Sequence, residues 1–113
     1  MKLPNCKNVF IPKEKLSGYI LSLTNPEGKS KAKLFREWGF DETNIVQLEE
    51  ALRKIAIRRK VIISRPSNDS SGINYEVDGK ITIPNGGTRS IKTVWYIEKD
   101  QRYPRFVTAY PLR

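Results

Sequence analysis

The sequence predicts an α+β fold, with N-terminal helices packed on a C-terminal antiparallel sheet of four to five strands. Apolar residues recur at helical spacing through the first half, and the period switches to two after residue 60. Helices in one run and strands in another segregate into a helical layer and an antiparallel sheet. A length of 113 residues fits a single domain, 1–113, with one hydrophobic core. One sheet face lies under the helices, which leaves the other for function.

Each element has a local cause. Pro12 opens a helix near 13–23, where its missing N–H costs nothing, and Leu16, Tyr19, Ile20 and Leu23 share one side. Asn25-Pro26-Glu27-Gly28 reads as a turn. Ser30 is placed to cap a second short helix with Ala32, Leu34, Phe35 and Trp38 on its apolar side, ended by Gly39. In the third helix Asp41 or Thr43 is the cap. Its buried stripe is Ile45, Leu48, Leu52 and Ile55, supported by Ala51 and Ala56. Glu49–Arg53 and Glu50–Lys54 are i,i+4 pairs worth about 0.2–0.5 kcal/mol each. Arg58, Arg59 and Lys60 follow, where cations complement the helix dipole.

Val61-Ile62-Ile63 is a short strand, followed by a polar loop over 64–72. Ile73, Tyr75 and Val77 then alternate with Asn74, Glu76 and Asp78. Asp78-Gly79 is a two-residue hairpin signal, with Ile81 and Ile83 on the return strand and Pro84-Asn85-Gly86-Gly87 closing it. The last two strands cover 89–98 and 105–110. In the first of these Ile91, Thr93, Trp95 and Ile97 form the core side, so Trp95 reads as structural, and Lys92, Val94 and Tyr96 share the other side. In the second, Arg105, Val107 and Ala109 alternate with Phe106, Thr108 and Tyr110.

Composition narrows the function classes. A single cysteine and no histidine exclude an internal disulfide, a Cys/His zinc site within one chain, and a Ser/His/Asp or Cys/His triad. The twelve carboxylates show no calcium-loop or catalytic-metal spacing, so no metal and no cofactor is expected. No run approaches the ~18 apolar residues of a membrane span, and the N-terminus lacks an apolar signal core. The expected location is the cytoplasm, that of the producing cell or of a target cell into which the domain is delivered. The formal charge is +9, and from Arg58 onward 11 Lys/Arg stand against 5 Asp/Glu. That balance favours an anionic partner such as nucleic acid, an acidic protein or a membrane surface.

The blocks IPKEKLSGYIL, PEGKSKAKLF, VDGKITIPNGG, KTVWYI and PRFVTAYP, in this order, resemble an uncharacterised bacterial toxin-like domain family over about Leu3 to Leu112. The closing T-V-W-x-I and P-R-x-V-T-A-Y-P blocks are its most specific part. That family in turn resembles the barnase/EndoU/colicin/RelE ribonuclease fold, found in toxin–antitoxin modules and at the tips of contact-dependent toxins. The resemblance implies RNA cleavage on the concave sheet face, with a small antitoxin or immunity protein as partner. One departure is Asn25, where the pattern leads one to expect a polar residue, often histidine, before Pro-x-Gly. If that histidine were the general base in relatives, this chain would need another.

Metal-free RNA cleavage needs a base for the 2′-OH, positive charge for the phosphorane, and an acid for the leaving 5′-oxygen. Without histidine the acid/base roles need a Lys, a Tyr or a carboxylate whose pKa is shifted by its surroundings, with positioned Lys, Arg and Tyr as base, clamp and acid. Lys31 matches the recurring position of the second block and is the candidate from the helical half; its alternative is a solvated first-turn lysine. Lys92 is a candidate phosphate clamp. Arg105 can hold two phosphate oxygens or instead pair with Glu98 or Asp100. Thr108 is a hydroxyl donor or an ordinary β-former, and Tyr110 an acid/base or a packing residue. Lys29, Lys33, Arg89 and Tyr96 are candidate RNA contacts. The competing reading is a non-catalytic basic module that binds nucleic acid or an acidic protein.

Overall fold

The computed structural model describes residues 1–26 and 29–112. Three helices pack on one face of a four-stranded antiparallel sheet, the α+β arrangement expected from the sequence. The helices are α1 (Lys13–Lys15), α2 (Lys29–Glu37) and α3 (Ile45–Arg58). The strands are β1 (Val61–Pro66), β2 (Gly72–Thr82), β3 (Thr88–Glu98) and β4 (Arg105–Pro111), paired in chain order.

The first helical segment differs from the expected 13–23. After α1 it widens into a π turn over Leu16–Ile20, closed by the Leu21 N–H on the Leu16 carbonyl at 2.8 Å, and Leu23 is exposed. The widened turn places Leu16, Ile20 and Leu21 together in the core. Ser30 lies inside α2 rather than capping it, because Lys29 is already helical. Half of the expected turn at 25–28 lies outside the described residues. Gly39 ends the α2 region with φ +102°. Neither Asp41 nor Thr43 caps α3 itself, whose N-cap is Asn44; Asp41 caps the 3-10 turn Glu42–Asn44 that leads into it, accepting from the Thr43 N–H while the Asn44 side chain accepts from the Asp41 N–H.

The largest correction is at Asp78-Gly79. No hairpin forms there, and β2 runs unbroken from Gly72 to Thr82 with Gly79 opposite Ile91. A Cβ on Gly79 would sit 2.8 Å from Ile55 Cγ1, so the glycine exists to let α3 lie close on β2. The chain reverses instead at 83–87, where Gly86 and Gly87 take φ +99° and +86°. The sheet therefore has four strands. β1 also extends to Pro66, three residues beyond the expected Ile63.

The core joins Leu48, Leu52, Ile55 and Ala56 of α3 and Phe35 of α2 to Tyr75, Val77, Ile91, Trp95, Phe106 and Ala109 of the sheet. Trp95 and Phe106 meet edge to face at 5.4 Å. The Trp95 indole N–H donates to Thr93 Oγ1, which in turn donates to the Val77 carbonyl, so the buried polar atoms are satisfied. The outer edge of β4 is covered in part by Phe10, whose N–H and carbonyl bond the backbones of Pro104 and Phe106.

Candidate functional site

A bulge in β4 builds the open face. Phe106 lies opposite Trp95 but Thr108 opposite Val94, so Val107 is the extra residue. Simple alternation would put Arg105 on one face and Thr108 and Tyr110 on the other. The bulge resets the phase, sends Phe106 and Ala109 to the core, and leaves Arg105, Thr108 and Tyr110 together on the opposite face. Cross-strand register completes three rows there: Asn74–Tyr96–Arg105, Glu76–Val94–Thr108 and Asp78–Lys92–Tyr110.

Lys31, from the first turn of α2, reaches the β4 side of this face. Its ammonium donates to Tyr19 Oη at 3.0 Å and to Thr108 Oγ1 at 3.3 Å. It also lies 5.3 Å from the Tyr19 ring centre and 5.5 Å from that of Tyr110. Lys15 approaches the same Tyr19 ring, 5.5 Å from its centre. The Lys31 cation is thus held by two hydroxyls and two aromatic rings, and among the described residues no carboxylate lies in its ion-pair range.

Lys92 is placed differently from the clamp expected of it. Its ammonium bonds Asp78 Oδ1 at 2.8 Å and pairs with Glu76 Oε1 at 3.2 Å, and the side chain is 14% exposed. Arg65 approaches Glu76 at 3.7 Å, so two cations and two carboxylates compensate one another. The hydrogen bond to Asp78 raises the Lys92 pKa, burial opposes this, and Glu76 adds to the rise. Lys92 therefore stays protonated and is unsuited to take a proton.

Arg105 is exposed and forms no ion pair with Glu98 or Asp100; its guanidinium lies 5.7 Å from the Tyr96 ring centre. Tyr96 is fixed in turn by a hydrogen bond between its hydroxyl and Ser71, and its ring lies so close to Gly72 that a Cβ there would clash at 2.8 Å. Ser71 belongs to a loop organised by Asp69, which accepts from the Ser67 hydroxyl and the Ser71 N–H. Those bonds, Ser71's foremost, pull the Asp69 pKa down to about 2.

Lys29 and Lys33 are exposed on α2, and of the three lysines in this block only Lys31 bonds the sheet. Arg89 does not join the site. It lies beside the 83–87 turn, on the side of β3 that elsewhere faces the helices, and donates to the Thr88 carbonyl. Sequence reasoning missed three members of the face. Tyr19 was read as one of an apolar stripe. Glu76 and Asp78 share the open side of β2, and their spacing of two on an alternating strand was the available signal. Among the described residues no group of three or more Cys, Asp or Glu is arranged to hold a metal ion, and no helix is long and apolar enough to cross a membrane.

Comparison with known proteins gives a fold and a family. A chain of the contact-dependent growth inhibition toxin–immunity protein complex from Klebsiella pneumoniae 342 superposes with a TM-score of 0.71 at 15% identity. The match covers 96% of this chain and 97% of that one, and at this identity it speaks for the fold. No curated protein matches the sequence. The model of DUF6883, a domain of unknown function, matches residues 2–113, and the chain belongs to that family.

Proposed function

We propose that this chain is a toxin domain that cleaves RNA without a metal, on the open sheet face, and is held in check by an immunity or antitoxin protein. The observation that carries the reading is Lys31, a cation held by the Tyr19 and Thr108 hydroxyls beside the Tyr110 ring. The net charge of +9 supports a polyanionic substrate, and the structural neighbour, drawn from a toxin–immunity protein complex, supports the biological setting. The order of helices and four strands also fits the barnase/EndoU/colicin/RelE arrangement that the sequence resembles.

In this reading the scissile phosphate sits against Lys31 and Thr108. The 2′-oxygen bonds to phosphorus as its proton passes to Glu76, the bond from phosphorus to O5′ breaks, and Tyr110 returns a proton to O5′. The products are a 2′,3′-cyclic phosphate and a 5′-hydroxyl. Glu76 is preferred to Asp78 as acceptor for two reasons. Only apolar Val94 separates it from Thr108 in its row, whereas Lys92 stands between Asp78 and Tyr110. Glu76 is also held more loosely by its cations than Asp78 is. Lys31 lowers the energy of the phosphorane, a contribution that mutagenesis of comparable charge-stabilising donors puts at about 10²–10³ in rate.

The test is a 5′-labelled RNA incubated with purified protein in excess chelator. The expected result is cleavage to products ending in a cyclic phosphate, blocked by a 2′-deoxy substitution at the cut site. Lys31→Ala should lower kcat about 10²- to 10³-fold with little change in KM. RNA that binds but stays intact would leave the non-catalytic module as the reading.

A further inference from the structure

The open face continues beyond Arg105 into a cleft of about 360 Å³ lined by Phe10, Tyr96, Glu98, Gln101, Tyr103 and Arg105. Two of these are large aromatics turned to solvent, Phe10 at 59% and Tyr103 at 54% exposure. Neither ring is loosely held at its backbone. Phe10 is bonded through its N–H to Pro104 and through its carbonyl to Phe106, at 2.8 Å each. The Asn5 side chain bonds the Arg102 carbonyl at 2.8 Å, next to Tyr103. On the opposite wall Tyr96 is locked by Ser71 and Gly72, with Arg105 over its ring.

We propose that this cleft is a subsite for one unpaired nucleobase of a single-stranded RNA, adjacent to the scissile phosphate. Exposed aromatic rings on a fixed backbone are stacking platforms that lose little entropy on binding, and a guanidinium plane offers a second stacking surface. Arg105 can meet the adjoining phosphate, which links the subsite to the Lys31 centre along the same strand. Glu98 and Gln101 stand at the rim with an acceptor-only group and a donor–acceptor group, suited to the polar edge of a base. A base can enter only if it is unstacked, so the substrate class is a loop, end or unpaired tract rather than a duplex. The proposal rests on the RNA reading above and adds to it where the substrate is gripped.

The experiment uses a hexaribonucleotide carrying 2′-O-methyl groups throughout, which cannot be cleaved by 2′-oxygen attack, together with a set bearing one abasic position each. Binding is followed by fluorescence anisotropy for the unaltered protein and for Phe10→Ala, Tyr103→Ala and Phe10→Tyr. Stacking contributes about 1–3 kcal/mol per base, so Phe10→Ala and Tyr103→Ala should each weaken binding about 5- to 150-fold, while Phe10→Tyr keeps it. One abasic position should reproduce the loss in the unaltered protein, and Phe10→Ala should then weaken that oligonucleotide no further. Thermal midpoints check that these exposed substitutions leave the fold intact. Unchanged binding in both alanine variants overturns the subsite; if the protein still cleaves RNA, the nuclease reading survives that loss. Base-dependent binding without any cleavage sustains the subsite and removes the nuclease. No binding of any single strand removes both.

Discussion

At Lys92 the same residue type that is the proposed anion contact at Lys31 makes an internal support instead, and the difference is the neighbouring strand. Lys31 faces hydroxyls and rings, while Lys92 faces Asp78 and Glu76 across β2. Removing Lys92 leaves two partly buried carboxylates without their shared cation. Lys92→Met should therefore destabilise the fold by about 2 kcal/mol in denaturant titration, the scale of charge-assisted hydrogen bonds at partly buried sites. The pH dependence has a definite sign. The folded state raises the Lys92 pKa, so its contribution is full below the ordinary lysine value of 10.5 and is lost as pH climbs through the higher folded value. Stability measured from pH 7 upward should stay level until that alkaline range and then fall, and Lys92→Met should flatten this fall. That Lys92 is the neutralised cation was not legible in the sequence, because Glu76 and Asp78 come to Lys92 only through strand register.

Two elements show where local pattern and tertiary packing part company. Helical and strand periods located α2, α3, β3 and β4 closely, since an amphipathic stripe is a local property. Asp78-Gly79 carries a strong turn signal, yet the strand passes through it because α3 needs the space that a side chain would fill. Gly79→Ala tests this directly. A turn glycine with positive φ and a strand glycine under a helix both resist substitution, but for different partners. Here the clash is with Ile55, a buried β-branched residue with little freedom to move. Gly79→Ala should cost about 1–3 kcal/mol, and Ile55→Val or Ile55→Ala in the same chain should make that cost smaller. Full additivity of the two changes would show that α3 does not press on Gly79. The bulge at Val107 is the second case. Alternation cannot reveal one inserted residue, yet without it Thr108 would stand among the core residues and Lys31 would lose its hydroxyl partner on the sheet.

On the scale of the whole molecule, the net charge of +9 is an unreliable guide to how many phosphates are held. Lys92 and Arg65 are committed to Glu76 and Asp78, Arg53 to Glu49, and Arg36 to Glu42. Arg89 stands off the open face, and Arg58, Arg59 and Lys80 line a separate groove between α3 and β2. The cations left along the proposed RNA path are Lys31 and Arg105, with Lys29 or Lys33 on α2 as a third. Each neutralised phosphate of a single strand releases counterions and contributes about −0.7 to the slope of log K against log salt. Three contacts give a slope of about −2, far shallower than the formal charge suggests. Titrating the uncleavable hexanucleotide from low to moderate salt should return that value, and Arg105→Gln should reduce its magnitude by about 0.7. Arg58→Gln should leave the slope unchanged, because its groove lies off the path. A slope near −6, or one that responds to Arg58 as strongly as to Arg105, would mean that the strand follows the total basic surface, and the Lys31-centred face would lose its claim as the site.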